Sequence, residues 1–478
     1  MPIQKKMLTL QINYHFTDTI INFFFSYMAN VIKLRKGLDI NLKGKAAISR
    51  RITVKPSEEY ALVPEDFPGV MPKVVVKEGD HVKAGDALFV NKKFPEVGFA
   101  SPVSGTVTAV VRGERRKLLC VKVKPDTKQE YRDFGVKDPS RLQGEDVVKI
   151  LLEGGLMGFV NQLPYAVSAT PDATPKSIFV SAFRDMPLAA DFSVELEGNE
   201  QAFQAGLTAL SRIAKTYLSI SPAQASSPLA SMRDVEVTVF DGPCPAGNVG
   251  VHVNHLDPVN KGEVVWTVDP TSVIFIGRLF LEGKVRMNKT IAIAGSEIQE
   301  PCYADVMVGQ PLKDVLSGHF SGGSHVRLIS GNPLTGRKCS IDDYVGGHAS
   351  EITAIPEGDD RDEMLGWIMP RTNEFSANRS YFSWLFGKNK EYVLDARVKG
   401  GERHMIMSGE YDSVMPMDIY AEYLIKAIIT GNIDKMEQLG IYEVSPEDFA
   451  VAEFVDSSKL ELQRIVREGL DMLRKENA

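Results

Sequence analysis

Short apolar runs separated by glycine-bearing turns fill residues 74–123. In the first half, the turns Glu78-Gly79-Asp80 and Ala84-Gly85-Asp86 each close one run and open the next. From Pro102 a second series of the same size follows. Alternation of β-branched and polar residues between tight turns predicts a small β-sandwich made of two similar halves.

This half-repeat resembles the biotinyl/lipoyl-carrier fold, also called the barrel-sandwich hybrid. A carrier of that kind presents an exposed lysine at a tight hairpin tip between its halves. Here the connection over residues 91–99 is long and has no Met-Lys-Met or Asp-Lys tip. Because a fold does not determine a function, we expect Lys92 and Lys93 to be solvated or to face an acidic neighbour rather than to be acylated.

On either side of the sandwich the pattern is different. Alternating residues after Val31 predict an edge strand, and the three prolines of residues 60–72 predict a loop with buried contacts. Apolar residues at helical spacing predict a helix over residues 144–153, which Gly154 ends. Further predicted elements are a helix over 200–213 and strands over 177–182, 235–240, 264–268 and 273–276. Strands that alternate with helices indicate a Rossmann-like α/β unit.

The last third of the chain predicts two more units. From near Arg286 the order hairpin, helix, strand resembles the soluble-ligand-binding β-grasp module. After Asp412 the chain is predicted to be helical. We expect Asp418 to cap one helix, and Ser445-Pro446 to begin another with an N-cap and a proline at its first position. A final amphipathic helix is predicted around residues 460–473.

The predicted fold class is therefore a multidomain α+β and α/β protein. It combines a biotinyl/lipoyl-like β-sandwich, a Rossmann-like unit, a β-grasp (SLBB-like) module and a C-terminal helical domain. The predicted boundaries are 1–30 for an unstructured extension, 31–125 for the sandwich, 126–285 for the α/β domain, 286–345 for the β-grasp domain, 346–410 for a connecting region and 411–478 for the helical domain. We expect translation of the natural protein to begin at Met28.

Composition excludes several classes of function. The net charge of −7 comes without a basic stripe, so we expect no nucleic-acid partner. None of the four cysteines lies in a CxxC pair, so iron–sulfur and structural zinc sites have no ligand set. There is no run of 18 apolar residues that would predict a transmembrane helix.

Two motifs are candidate functional sites. Residues 241–250, DGPCPAGNVG, follow a predicted strand, but Pro243 and Pro245 each remove a backbone donor that a phosphate loop needs. We therefore expect a rigid structural or interface loop. On a predicted extended strand, His252 and His255 point to opposite faces and form no ligand pair. We predict no metal site and no catalytic residues in this chain.

The most aromatic stretch lies near the start of the last quarter of the sequence. Its apolar members are Trp367, Met369, Phe375, Tyr381, Phe382, Trp384, Leu385 and Phe386. Arg371, Arg379 and Lys388 lie among them. The combination favours an interface with lipid headgroups or with a partner protein, and burial in a core is the alternative.

From about Val31 to its end the chain resembles the NqrA family, the A-subunits of sodium-translocating NADH:quinone oxidoreductases. The resemblance is carried by the number and order of short motifs at residues 32–39, 78–83, 101–105, 112–116, 241–247, 329–331, 363–367, 409–418 and 447–450. It implies a peripheral subunit without a transmembrane segment, on the cytoplasmic face of the bacterial inner membrane. The implied partners are the other five subunits of the complex, especially the adjacent membrane protein NqrB, and quinone.

The resemblance also implies that NADH, FAD, FMN and iron–sulfur centres belong to partner subunits. Fold relatives in respiratory complex I and the Rnf complex carry cysteine clusters, but no cysteine follows Cys339 here. No cofactor is expected to be bound covalently, and the substrate is ubiquinone or menaquinone. The implied quinone contacts are Phe67, Met71, Leu163 and Tyr165. The alternatives are a pure scaffold and a flavin- and NADH-binding dehydrogenase subunit.

These four residues lie in two segments, and the second segment, around Leu163 and Tyr165, departs from the family pattern. Where the family usually has Arg-Thr-Arg before a proline and an aromatic residue, this chain reads Asn161-Gln162-Leu163-Pro164-Tyr165. The loop therefore lacks its own arginines. We expect Tyr165 to supply part of the hydrogen bonding that a quinone headgroup needs.

Overall fold

The computed structural model describes residues 30–320, 322–360, 369–379, 381–386 and 390–477. Residues 1–29 of the predicted extension, and Trp367 and Lys388 of the aromatic stretch, lie outside these ranges. Within them the chain forms four β-sheets and a C-terminal group of helices.

The sandwich predicted over residues 74–123 consists of two sheets. One contains β3 (Tyr60–Leu62), β5 (His81–Val82), β8 (Gly105–Arg112) and β9 (Leu118–Pro125), in the order β3-β9-β8-β5. The other contains β4 (Pro72–Val74), β6 (Ala87–Asn91) and β7 (Gly98–Ala100). The prediction of a loop over residues 60–72 is wrong at its ends. Tyr60–Leu62 forms a strand that pairs with β9. A run of three residues is too short to show the alternating pattern that would predict it.

A seven-stranded sheet forms the α/β part. Its strands are β1 (Asn30–Lys33), β10 (Val160–Leu163), β11 (Val167–Ser168), β12 (Ser177–Ser181), β13 (Lys215–Ile220), β14 (Glu236–Asp241) and β15 (Val265–Val268). The order is β1-β14-β13-β12-β15-β10-β11, and the five strands from β1 to β15 are parallel. β10 runs antiparallel to both of its neighbours.

The helices of this unit are α1 (Gly144–Glu153), α2 (Phe192–Leu196), α3 (Glu200–Ile213), α4 (Val249–Leu256) and α5 (Pro270–Glu282). α1 and α3 have the predicted bounds. α3 and α5 pack closely, because a Cβ on Gly277 would lie 1.7 Å from the Ala202 carbonyl oxygen. Only glycine permits two helix backbones to approach so closely.

Two strand predictions in this unit are wrong. Residues 251–255 lie on α4 and residues 273–276 lie on α5. An apolar run that is buried on all sides has no period that separates strand from helix. The order Asp269-Pro270 and the later Gly283 are sequence signals for the two ends of α5. In the structure the Asp269 side chain accepts a hydrogen bond from Thr271 N–H, and Gly283 ends the helix in the left-handed region.

The third unit is a six-stranded sheet. It contains β2 (Arg51–Thr53), β16 (Asn288–Ala294), β17 (Cys302–Met307), β18 (Val326–Ser330), β19 (Arg337–Cys339) and β20 (Glu351–Pro356), with α6 (Leu312–Val315) beside it. The order is β19-β18-β20-β16-β17-β2. The predicted sequence of hairpin, helix and strand is present as β16–β17, α6 and β18.

The first two strands connect the domains. β1 confirms the edge strand predicted after Val31, but it pairs with β14 of the α/β sheet. β2 pairs with β17 of the third sheet. Neither strand pairs with a described strand of the sandwich, although both fall inside the predicted range 31–125. Local alternation predicts that a strand exists, but its partner is decided by long-range contacts.

The C-terminal group contains α7 (Glu410–Val414), α8 (Ala421–Ile429), α9 (Ile433–Gln438), α10 (Ala450–Val455) and α11 (Leu462–Glu476). Its core is a separate apolar cluster that includes Tyr411, Leu424, Phe449 and Leu470. The predicted cap at Asp418 is wrong, since α8 begins after Tyr420. The cap at Ser445 is confirmed: Ser445 and Asp448 form a capping box around the short 3₁₀ helix Pro446–Phe449, which leads into α10.

Candidate functional site

One cavity lies where the strand order of the parallel sheet reverses. From β12 the chain proceeds to β13 on one side, whereas β15 pairs on the other side. The loops that follow Ser181 and Val268 therefore diverge and leave a crevice at the carboxyl edge, which is where open α/β sheets bind ligands. A cavity of about 510 Å³ occupies this position. The third sheet and the C-terminal helices close it, with Glu351 and Glu447 among the lining residues.

A buried ionic network forms one wall of this switch-point cavity. The Arg184 Nη2 donates to both carboxylate oxygens of Asp269 at 3.2 Å. Thr271, at the start of α5, donates its hydroxyl to Glu195 Oε2 at 2.6 Å. Behind them the buried Lys289 ammonium donates to the carbonyl oxygens of residues 346, 347 and 349. Each buried charge therefore has a partner, as burial requires.

Four buried polar atoms at the cavity have no hydrogen-bond partner among the described residues. They are Arg184 Nη1, His348 Nε2, Asp185 Oδ1 and Asn161 Oδ1. Buried polar atoms are almost always paired, so such atoms mark a place where a ligand or water completes the bonding. The set offers both donors and acceptors.

The loop over residues 241–248 does not fit a phosphate group. Its backbone donors are already used: Cys244 N–H donates to Asp39 at 3.0 Å, and Gly247 N–H donates to Asp185 Oδ2 at 2.8 Å. The N–H groups of Ala246 and Asn248 bond to carbonyls within the loop. The N–H groups of these four residues therefore all have acceptors within the protein, which is the property of a rigid structural element.

The start of α4, to which this loop leads, is also occupied. A Cβ on Gly250 would lie 2.3 Å from Asp448 Oδ2, so this carboxylate sits against the first turn of the helix. Asn248 Nδ2 bonds to the Glu447 carbonyl oxygen at 3.2 Å. An acidic side chain of the C-terminal helices therefore fills the place where a helix N-terminus would bind an anion.

The cavity is rich in carboxylates, and burial perturbs their titration. Burial raises the pKa of Asp185 from 3.8 to about 7, against the opposing effect of the Gly247 N–H. Burial together with the charge of its neighbour Asp448 raises the pKa of Glu447. Glu447 is one of the residues that line the cavity. Burial lowers the pKa of His348 to about 4, so this imidazole is neutral at physiological pH. A pocket with several shifted groups is a candidate functional site.

Phe67 and Leu163, two of the sequence-predicted quinone contacts, are buried in apolar cores. The ring centroid of Phe67 lies 4.5 Å from that of Phe99 and 5.7 Å from that of His348, so Phe67 backs the cavity wall from behind. Leu163 belongs to a cluster with Phe179. Neither side chain lines the cavity.

Met71 is exposed and Tyr165 is partly exposed, and their loops meet at the surface. Ser168 N–H donates to the Pro68 carbonyl oxygen at 2.9 Å, which joins the two loops. Tyr165 and Ala166 both have positive φ, at 85° and 47°. Consecutive non-glycine residues in this region are strained and persist only where the surroundings hold them.

The C-terminal helix provides that support. From α11, Arg467 donates to the Ala166 carbonyl oxygen at 3.1 Å, and Asn477 Nδ2 lies 3.3 Å from the Tyr165 hydroxyl oxygen. A Cβ on Gly69 would lie 2.7 Å from the Arg474 guanidinium. The loop that lacks its own arginines therefore receives Arg467 from a segment 301 residues away, while Arg474 lies against Gly69 of the other loop.

Sequence reasoning missed the polar side chains of the cavity. Arg184 and Asp185 lie three and four residues past the end of β12, and charged residues just past a buried parallel strand are the signal that could have found them. His348 and Glu447 come from other domains and have no local signal. The histidines of residues 251–255 are packed on α4 instead of on a strand: His252 Nε2 lies 2.8 Å from the Ala246 carbonyl oxygen, and burial lowers the pKa of His252 to about 3.

Among the described residues, His325, Asp359 and Asp360 form one group with metal-ligand chemistry. All three are exposed, and His325 Nδ1 bonds to Asp359 Oδ1 at 2.8 Å. The group therefore has the character of a surface ion pair. No helix in the described part of the chain is long and apolar enough to span a bilayer.

Comparison with known proteins identifies the family. Three family profiles match: the NqrA N-terminal barrel-sandwich hybrid domain over residues 32–126, the NqrA second alpha/beta domain over 142–285 and the NQRA C-terminal domain over 290–340. The A-subunit of the Na(+)-translocating NADH-quinone reductase of Pasteurella multocida is 36% identical over 451 residues, which are 93% of this chain and 100% of the relative. The chain belongs to the NqrA family of Na(+)-translocating NADH-quinone reductases.

Other members of the NqrA family agree. The proteins of the same name from Yersinia pestis and Haemophilus influenzae are 34% and 35% identical, each over 93% of this chain and 100% of the relative. The three profiles confirm a multidomain α/β layout. Among solved structures, the NAD+-reducing [NiFe]-hydrogenase in its H2-reduced state is 13% identical, covering 38% of this chain and 41% of that chain with a TM-score of 0.28. That likeness is too low to support an argument.

Proposed function

We propose that this chain is a peripheral subunit of a Na(+)-translocating NADH:quinone reductase and supports the reduction of quinone to quinol coupled to sodium export. The observation that carries this proposal is the identity of 36% over the full length of an NqrA protein from another organism. A relationship of that extent includes every domain of the chain. The enzyme is a translocase, and this chain is not catalytic alone.

The proposed setting follows from the family. The chain docks on the cytoplasmic face of the bacterial inner membrane, against the other five subunits and especially the membrane protein NqrB. NADH, FAD, FMN and iron–sulfur centres are held by those partners, and ubiquinone or menaquinone is the substrate. The lack of a membrane-spanning helix among the described residues supports peripheral attachment.

We infer that quinone contacts the surface formed by the two joined loops. Met71 supplies an exposed apolar side chain on one loop, and the Tyr165 hydroxyl supplies a hydrogen-bond donor on the other. The buried side chains of Phe67 and Leu163 do not contact quinone in this arrangement; they pack beneath the two loops and support them. The positive φ of Tyr165 supports a functional role, because strain of this kind accumulates at binding sites.

We propose the finer fold assignments together with this function. The paired sheets over residues 60–125 support a carrier-like sandwich without a modified lysine, since Lys92 and Lys93 lie on the β6–β7 connection rather than at a tight tip. The parallel order supports a Rossmann-like unit. The hairpin β16–β17 with α6 and β18 supports a β-grasp module. The predicted boundaries 126–285, 286–345, 346–410 and 411–478 stay proposals, and the β-grasp module extends to Pro356 because β20 lies inside the third sheet.

The pure scaffold is the second candidate function. The observation in its favour is the complete burial of Phe67 and Leu163, which leaves only part of the predicted set at the surface. In that case the chain positions the membrane subunits and binds no quinone. The flavin-binding alternative has less support, because the N–H groups of Cys244, Ala246, Gly247 and Asn248 already have acceptors and Asp448 lies against the start of α4.

Substitution at Tyr165 distinguishes quinone contact from scaffolding. The variants Tyr165→Phe and Tyr165→Ala are assembled into the whole complex, with Tyr423→Phe, an exposed tyrosine on α8, as the matched control. Loss of one hydrogen bond to quinone raises the KM for quinone by about fivefold to tenfold in Tyr165→Phe. NADH oxidation by the partner subunits stays unchanged.

Two results would contradict the quinone contact. One is an unchanged KM in Tyr165→Ala with complete assembly, which favours the scaffold. The other is a flavin absorption band, near-stoichiometric with the isolated chain, which favours the dehydrogenase alternative.

A further inference from the structure

The short 3₁₀ helix Phe382–Phe386 has its apolar side chains on the outside. Phe382, Trp384, Leu385 and Phe386 are 58%, 46%, 62% and 59% exposed, whereas Ser383 is fully buried. A surface helix normally shows the reverse arrangement, with its apolar side chains inside. The sequence alone left open whether this stretch is core or interface, and the structure removes the core alternative for these four residues.

The exposed side chains form a protrusion rather than a groove. A 3₁₀ helix has three residues per turn, so consecutive side chains point in different directions. Ser383 is the buried residue of this helix, and its carbonyl oxygen lies 3.5 Å from the Tyr392 hydroxyl. Exposed Met369 extends the patch, since the adjacent Pro370 carbonyl accepts a hydrogen bond from Phe382 N–H at 3.3 Å. We call residues 382–386 together with Met369 the aromatic knob.

Cations accompany the rings of this segment. The Arg379 guanidinium carbon lies 5.3 Å from the Trp384 ring centroid, and Lys390 Nζ lies 4.6 Å from that of Phe386. Close by, the Arg371 guanidinium carbon lies 5.2 Å from the Tyr381 ring centroid. The segment is thus basic in a chain whose net charge is −7. At the surface of an anionic bilayer, apolar acyl chains lie beneath negatively charged headgroups. Exposed aromatic rings with cations beside them match this arrangement.

We propose that the aromatic knob inserts into the interfacial layer of a bilayer that contains anionic lipid. Four large exposed apolar side chains are stabilised by an apolar medium, which the acyl chains of a bilayer provide. The neighbouring cations then meet lipid phosphates, each contributing to attraction near the surface. This contact is independent of the proposed quinone contact, since it uses a different segment of the chain.

Vesicle binding tests the proposal on the full-length chain. Vesicles of phosphatidylcholine alone are compared with an equal mixture of phosphatidylcholine and phosphatidylglycerol, by co-sedimentation at low and high salt. We expect binding to the mixed vesicles that weakens with salt. The double variant Leu385→Ser/Phe386→Ser lowers the affinity about tenfold or more, because two large side chains no longer leave water.

The matched control removes two isolated exposed apolar side chains, Ile48→Ser/Val136→Ser, and leaves binding unchanged. A second measurement uses Trp384 as the sole tryptophan, with Trp266→Phe and Trp367→Phe. Its emission shifts to shorter wavelength with the mixed vesicles. Arg379→Gln reduces the preference for the anionic mixture.

Three outcomes overturn the proposal: no binding to mixed vesicles, equal loss of binding in the control and knob variants, or unshifted Trp384 emission on bound vesicles. A fourth result identifies a different occupant. If the full-length chain does not bind vesicles but the knob variant fails to assemble with the membrane subunits, the knob binds a protein partner and the proposal is wrong.

Discussion

Asp185→Asn should stabilise the protein at alkaline pH, although it removes a charge from the candidate site. The Asp185 carboxylate accepts a hydrogen bond from Gly247 N–H through Oδ2, while Oδ1 is buried without a partner among the described residues. An asparagine keeps an acceptor for Gly247 and has no charge to desolvate. The substitution therefore isolates the cost of burying the carboxylate.

The magnitude follows from the pKa of Asp185, which burial raises from 3.8 to about 7. A raised carboxyl pKa means that the folded state holds the proton more tightly than the unfolded state. Stability is then highest at low pH and falls as pH rises from about 4 to about 7. The difference between the pKa values of the folded and unfolded states corresponds to roughly 4 kcal/mol of stability, which is fully lost above pH 7. We expect Asp185→Asn to recover about 2–4 kcal/mol at pH 8 and little near pH 4.

The assay is urea denaturation between pH 5 and pH 8, followed by the emission of Trp266. This side chain is buried on β15, next to the cavity, and reports on the α/β unit once Trp367 and Trp384 are replaced by phenylalanine. The control is Asp342→Asn, an exposed carboxylate in the third unit, which should not change the pH dependence. The reasoning is refuted if Asp185→Asn is no more stable than the parent at pH 8, or if both lose the same stability between pH 5 and pH 8.

Three further predictions concern packing and support. Lys289→Met removes the ammonium donor from the carbonyl oxygens of residues 346, 347 and 349 and costs about 3 kcal/mol or more, measured by urea denaturation. Gly277→Ala drives a methyl group into the Ala202 carbonyl and lowers the melting temperature by several degrees, whereas exposed Gly401→Ala, with open space around its Cβ position, does not. Arg467→Met frees the Tyr165 loop and raises the KM for quinone with assembly intact, whereas exposed Arg464→Met leaves it unchanged.

Local patterns were sufficient for many elements. The helices over 144–153 and 200–213, the sandwich hairpins and the cap at Ser445 each depend on spacing or capping chemistry within a few residues. They failed where burial was uniform, since the apolar run inside α5 and the histidine segment on α4 carry no period that distinguishes helix from strand.

The candidate site was less accessible to sequence reasoning. The two loops that carry Met71 and Tyr165 were found, but that they meet, and that Arg467 of α11 supports one of them, depends on contacts across the fold. The cavity assembles Arg184 and Asp185 from one domain with His348 and Glu447 from two others.

The sequence by itself determined many of the strands and helices, where several of them end, and that no cysteine ligand set for a cluster is present. Only the tertiary structure decided which sheet each of the first two strands joins, which carboxylates are buried at the switch point, and that the aromatic knob lies outside the core. The physical reason is that capping and periodicity act over a few residues. Burial, pKa shifts and exposed apolar surface depend on neighbours brought together from hundreds of residues away.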